Sequence, residues 1–284
     1  MSRLINKNNS LESLNFNARV LGKDIKVVTN SLLLKKLIEH GFNCFPEGKT
    51  KRKEINMISL MLEDVQDIRK VTGSILKFIN FILEDMRERC WIFHGSAFSR
   101  DGMATIMLGD SGTGKSSLCL AAGLSGASII SDEPILINKK DYSAVPFRYL
   151  IKLDRFHDIF SKWDFFKRFD FNRNRFIRKG SIETLDFNLF TKEELDKLKI
   201  KVEHKETILS KIVFLEDKKY DTAIHLYKHC INRGQSIDFQ NCIRDLNKLS
   251  QEKKVIFLPG VARKLKNEKE IKTILNRLKG EDNG

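Results

Sequence analysis

The residues best suited to chemistry lie in LGDSGTGKSSLCLAAGLSGASIISDEP, positions 108–134. Gly109-Asp110-Ser111-Gly112-Thr113-Gly114-Lys115-Ser116 fits the pattern GxxxxGK[ST] without deviation, with ATIML reading as a strand before it and SSLCLAAGL as a helix after it. Glycines let backbone N–H groups converge on phosphate oxygens, and the helix N-terminus adds the positive end of its dipole. Lys115 suits the outer phosphates of a nucleotide and the Ser116 hydroxyl its Mg²⁺, while Ser117 is counted with the loop as a nucleotide-binding residue. Asp132 and Glu133 follow only sixteen residues after Ser116, at the end of the short apolar run ASII. Strand ends of open α/β sheets are where ligands sit. A carboxylate there can hold Mg²⁺, so Asp132 and Glu133 join Ser116 as candidate metal ligands, and one of the two can take the proton of an attacking hydroxyl.

Several elements must position these groups. WIFHGSAFSRDGMATIMLG holds two apolar runs around Asp101-Gly102, a strong signal for a two-residue hairpin loop. That loop sets Arg100 against Met103, Phe98 against Thr105, Ser96 against Met107 and His94 against Gly109, which brings His94 to the mouth of the glycine-rich loop. The helix after the loop is apolar nearly all round and should be buried on the sheet, with Cys119 in the core. Upstream, IKVV (25–28) reads as a strand, Thr29 or Asn30 as the cap of the helix SLLLKKLIEH, and Gly41 as its stop. PEGKTKRKE (46–54) reads as a charged loop. Apolar residues from Val65 to Met86 recur at helical spacing and predict one amphipathic helix over 64–88.

In the block from about 90 to 137, HGSAF, GDSGTGKSSL, a short helix and IISDE together resemble HPr kinase/phosphorylase and its related bacterial kinases, which share a core with phosphoenolpyruvate carboxykinase. The resemblance implies an α/β, mixed-sheet P-loop kinase core over 89–284, with residues 1–88 as an N-terminal α+β extension. It implies an ATP- and Mg²⁺-dependent transfer to a hydroxyl of a protein or peptide, such as a ribosomal peptide precursor, or of a small molecule. Asp132 then acts as base with His94 as its partner and Lys115 on the transferred phosphates. Glu133 stands where the family has a second Asp, and neither the family's downstream glycine-rich signature nor its later metal-binding glutamate is found in this chain.

The remainder narrows the picture less. KWDFFKRFDFNRNRFIRK (162–179) interleaves basic and aromatic residues, a pattern open to a buried amphipathic element, an acidic peptide or phosphate, or single-stranded nucleic acid. His225 and His229 are four apart on a helical stretch, but HLYKH lacks the glutamate of a zinc motif. Asn138-Lys139-Lys140-Asp141 imitates a guanine-selecting motif and is read as a polar turn. KIVFLE (211–216) and KKVIFLP (253–259) read as strands, and Ile271, Ile274, Leu275 and Leu278 as a closing helix. A net charge of +14 favours acidic partners and keeps a nucleic-acid-dependent NTPase open as the alternative. Five scattered cysteines fit reduced core thiols. The opening residues hold no signal-like apolar run and no stretch is long enough for a membrane helix, which predicts a cytoplasmic protein; oligomers are allowed.

Overall fold

Hydrophobic alternation in LNFNARV and KDIKVVT pairs two strands, β1 (Leu14–Val20) and β2 (Lys23–Thr29), into an antiparallel hairpin with Leu14 opposite Thr29. The computed structural model describes residues 13–21, 23–41, 43–45, 56–62, 68–147, 151–153, 175–179, 184–190, 192–232, 239–261 and 268–279. The chain divides into two units, Met1–Glu84 and Asp85–Gly284. The hairpin belongs to the first.

In that unit α1 (Leu32–Gly41) follows β2, β3 (Asn43–Phe45) joins the outer side of β1, and β4 (Asn56–Leu60) runs parallel to β2. The cap of α1 is Ser31 and neither Thr29 nor Asn30: the Leu34 N–H donates to Ser31 Oγ at 3.2 Å. The two expected caps are engaged elsewhere. Thr29 Oγ1 donates to the Leu60 carbonyl at 2.9 Å, and the Asn30 amide exchanges bonds with both backbone groups of Leu62. Helix α2 (Ile68–Glu84) buries Phe78, Ile79, Ile82 and Leu83 on one face. It ends at Glu84, short of the expected 88, because residues 85–89 form a turn in which the Cys90 N–H returns to the Met86 carbonyl. Val65 and the 46–54 loop lie outside the described residues.

The second unit is built on a nine-stranded mixed sheet. Its strands are β5 (Cys90–Phe93), β6 (Gly95–Arg100), β7 (Met103–Leu108), β8 (Ser128–Asp132), β9 (Ile135–Asn138) and β10 (Ser143–Val145). After β11 (Ile151–Leu153), β12 (Arg175–Lys179) and β13 (Thr184–Phe190), which form a separate three-stranded sheet, come β14 (Lys201–Val202), β15 (Thr207–Phe214) and β16 (Lys254–Phe257). The order is β14-β8-β6-β7-β15-β10-β9-β5, with β16 also on β15. Strand β6 is antiparallel to both β7 and β8, β15 is parallel to β7, and β16 is parallel to β15. The carboxyl ends of β7, β8, β15 and β16 therefore share one edge.

Period-two alternation gives the sheet two apolar faces. Met107 and Val213 pack with α3 (Lys115–Leu124), with Leu195 of α4 (Lys192–Lys197) and with the apolar stripe of α7 (Glu268–Lys279). Ile106, Leu108, Ile212 and Phe214 face the other way, against α5 (Thr222–His229) and α6 (Phe239–Glu252). Each fully buried Leu or Ile here contributes about 1.5–3 kcal/mol. Cys90, Cys119, Cys230 and Cys242 are buried and unbridged, and burial first of all pushes the Cys90 thiol to about 11 and that of Cys230 to about 12. They pack as small apolar groups. Among the described residues no helix is long and apolar enough to cross a membrane. Of the basic-aromatic stretch, 162–174 lies outside the described residues, and Arg175–Lys179 pairs with β13.

Candidate active site

Asp101 and Gly102 both take positive φ, +53° and +73°, which closes the hairpin in two residues. The register is the one the Asp-Gly signal predicts: Arg100 opposite Met103, Phe98 opposite Thr105, Ser96 opposite Met107. Pairing stops at Gly95 opposite Leu108, so the expected pairing of His94 with Gly109 is not made. At Phe93 the chain bridges to Cys230, and the His94 N–H donates to the His229 carbonyl at 2.9 Å, which draws this segment off β7. Gly95 is required at the departure point: a Cβ there would lie 2.5 Å from the Met107 carbonyl oxygen.

The loop after β7 turns into α3 at Gly114, whose φ of +99° favours glycine. Lys115, the first residue of α3, is 4% exposed and folds back along the loop. Its Nζ donates to the carbonyls of Gly109 at 2.9 Å and Asp110 at 3.0 Å. Thr113 Oγ1 donates to the same Asp110 carbonyl at 2.8 Å. Asp110, Ser111 and Gly112 are exposed at the loop's mouth, Ser116 is half-buried, and Ser117 is buried on α3.

Asp132 ends β8 and is 2% exposed. Its Oδ1 accepts from Ser116 Oγ at 2.9 Å and also from Ser96 Oγ. The structure therefore joins three segments: the loop-to-helix turn, the end of β8 and the start of β6. His94 Nε2 stands 3.3 Å from Oε1 of Glu133, the residue after its expected partner Asp132. Asp132 points toward Ser96 and Ser116, while Glu133 lies just past the strand, its N–H held by the Gly95 carbonyl. Burial lowers the His94 imidazole below its ordinary value; Glu133 opposes this, and the Lys115 cation adds to it.

A second cluster lies at the ends of β7 and β15. Glu216 Oε1 meets His225 Nδ1 and His229 Nε2, each at 2.9 Å. Glu216 Oε2 accepts from Lys228 Nζ at 2.7 Å, and the same ammonium donates to Asp110 Oδ2 at 3.0 Å. His225 Nε2 faces the N–H groups of Lys219 and Tyr220, both at 3.2 Å, so it is the acceptor and Nδ1 carries the proton. Burial alone would raise the Glu216 carboxyl, but the hydrogen bonds from Lys228, His229 and His225 outweigh it and bring the group down to about 2. Ligand atoms of Asp110, Glu216 and His229 lie within 4.8 Å of one another. The Lys228 ammonium, bonded to both carboxylates, occupies the cation's place there.

Ser96, Glu216 and Lys228 are site residues that motif reading passed over. The signal was present for Glu216, which closes the KIVFL strand just as Asp132 closes ASII. Asn138 to Asp141 form a turn after β9 in which Asn138 Oδ1 accepts the Lys140 N–H, in keeping with a polar turn.

The fold is mixed α/β, and its carboxyl edge gathers a glycine-rich loop with a lysine, hydroxyls and carboxylates. No family model matches the chain, and neither does any curated protein. Among solved structures it is distantly similar to the Hpr(Ser) kinase/phosphatase from Coxiella burnetii, at 12% identity and a TM-score of 0.29 over 67% of this chain and 94% of that one.

Proposed function

We propose that residues 89–284 form a P-loop kinase core of the HPr kinase/phosphoenolpyruvate carboxykinase type, and that it transfers the terminal phosphoryl group of ATP to a serine or threonine hydroxyl of a protein or peptide. The observation that carries this reading is the 2.9 Å bond from Ser116 Oγ to Asp132 Oδ1, which ties the end of the glycine-rich loop to an acid at the carboxyl end of β8, two strands from β7 and running the same way.

The residues fit the groups such a reaction needs. Ser116 and Asp132 offer the hard oxygen donors that Mg²⁺ prefers, and would hold it with Glu133 nearby. Bound there, the ion would draw negative charge from the phosphates. Lys115 and the N-terminus of α3 stabilise charge on the same oxygens. Asp132 takes the acceptor's proton while the acceptor oxygen bonds to phosphorus and the bond from phosphorus to the departing nucleoside diphosphate breaks. Two hydroxyl donors on Oδ1 hold the Asp132 carboxyl group in one orientation. Neutral His94, braced on Glu133, borders the acceptor side and orients the incoming hydroxyl.

Asp132→Asn keeps the shape and removes the base. With γ-labelled ATP and a cell lysate as acceptor source, the variant should lose label transfer by about 10³-fold while still binding nucleotide. Transfer at the wild-type rate would refute the assignment, and identifying the labelled species in the wild-type reaction would give the acceptor.

A further inference from the structure

On the flank of the loop away from Asp132 lies a cleft of about 230 Å³ that none of the proposed catalytic residues explains. It is lined by Asp110 of the loop, Asp217 and Tyr220 after β15, Lys228 of α5, and Pro259 and Gly260 after β16. Strand order fixes its relation to the chemistry. The loop rises from β7; Asp132 stands two strands to one side on β8, and β15 and β16 follow in turn on the other. A linear phosphate chain lying on the loop with its terminal phosphorus toward Asp132 directs its opposite end into this cleft.

The cleft has what a nucleoside needs. Tyr220 lines the cleft and is 57% exposed. Its ring leans on buried His225, centroids 5.6 Å apart, and the N–H groups of Lys219 and Tyr220 both donate to His225 Nε2. His225 is fixed in turn by Glu216. The cluster around Glu216 thus braces a stacking platform next to the phosphate loop. Asp217 supplies an acceptor of the kind that binds ribose hydroxyls, and the Pro259-Gly260 turn supplies backbone groups for the edge of a base.

The geometry points to this cleft as the nucleoside subsite of the phosphoryl donor, with the base stacked on Tyr220 and the ribose toward Asp217. This assignment rests on the nucleotide reading given above and adds to it where the base is read. Inorganic tripolyphosphate separates the two, since it can occupy the loop but has nothing to place in the cleft. Equilibrium binding of ATP and of tripolyphosphate, both with Mg²⁺, is measured on the full chain as wild type, Tyr220→Ala, Tyr220→Phe and Lys115→Ala. Loss of one stacked base should weaken ATP about 10-fold in Tyr220→Ala. Tripolyphosphate affinity should be unchanged in that variant, Tyr220→Phe should restore ATP binding, and Lys115→Ala should weaken both ligands. Equal effects of Tyr220→Ala on both ligands, or none on ATP, would overturn the subsite and leave the nucleotide reading standing. A wild-type chain that binds neither ligand would overturn both.

Discussion

Two carboxylates close parallel strands of the same sheet, and the protein treats them in opposite ways. Asp132, at the end of β8, accepts from the hydroxyls of Ser96 and Ser116, which are neutral donors. Glu216, after β15, accepts from an ammonium and two imidazoles. Neutral hydroxyls orient a carboxylate without carrying a charge of their own. An ammonium at 2.7 Å answers the charge within the fold. On the proposed reading the difference separates a centre for chemistry from one for rigidity, although strand-end position alone would rank them together.

Activity and stability should respond in opposite directions at the two carboxylates. Asp132→Asn should lower transfer by about 10³-fold and change stability by less than about 1 kcal/mol, because both serine hydroxyls can turn to the new amide oxygen. Glu216→Gln should do the reverse. It leaves Lys228, His225 and His229 around a neutral group, at a cost of about 2 kcal/mol, below the range for a fully buried pair because Lys228 is partly exposed. For a unit of this size that lowers the unfolding midpoint by roughly 4–8 °C. Both tryptophans, Trp91 and Trp163, fall in the second unit, so thermal unfolding followed by tryptophan fluorescence reads that unit alone. A Glu216→Gln protein as stable as wild type, or an Asp132→Asn protein as destabilised as Glu216→Gln, would erase the distinction.

pH provides a milder version of the same test. The Glu216 carboxyl lies at about 2 in the fold, below its ordinary 4.5, so its contribution is complete above about pH 4.5 and is lost as pH falls toward 2. The His229 imidazole is also lowered, by burial first and against the pull of Glu216, so its folded state resists protonation and stability declines below pH 6.5 as well. Lys228 is raised: burial works against it, but the bonds to Glu216 and Asp110 prevail, giving stability below pH 10.5 that is lost above it. Denaturant midpoints of the wild type should therefore fall on both sides of neutrality. Glu216→Gln should flatten the limb between pH 4.5 and 2. An unchanged limb would mean that the acid sensitivity arises elsewhere.

What was legible in the sequence was what is local. Asp101-Gly102 gave the hairpin register because a two-residue loop admits only one; the glycines, Lys115 and Ser116 announced their loop because the pattern is contiguous; ASII followed by Asp132 needed only a strand and its end. What stayed hidden depends on contacts across the chain. His94 meets Glu133 because Phe93 bridges to Cys230, a partner more than a hundred residues away that no spacing rule reaches. His225 and His229 lack the glutamate of a zinc motif in sequence, and the carboxylate they both meet is Glu216, from the end of the preceding strand. Ser31 caps α1 because Thr29 is bonded to Leu60 of β4 and Asn30 to Leu62 just after it, a choice only the pairing of β2 with β4 could decide.

Ser96→Ala and Ser116→Ala probe the smallest difference within the first centre. Both hydroxyls meet Asp132 Oδ1, but Ser96 is fully buried on β6, whereas half-buried Ser116 follows the loop lysine. If Ser96 serves only to hold Asp132, its removal loses one hydrogen bond to a charged group and should lower kcat roughly 10-fold with nucleotide affinity unchanged. If Ser116 also holds the ion, its removal should weaken nucleotide binding in the presence of Mg²⁺ and leave metal-free binding nearly untouched. The split between kcat and affinity is the measurement that matters, because a merely structural role for either serine would move both quantities together. Equal loss of Mg²⁺-dependent affinity in the two variants would make the hydroxyls equivalent, and Asp132 would then be only their shared anchor.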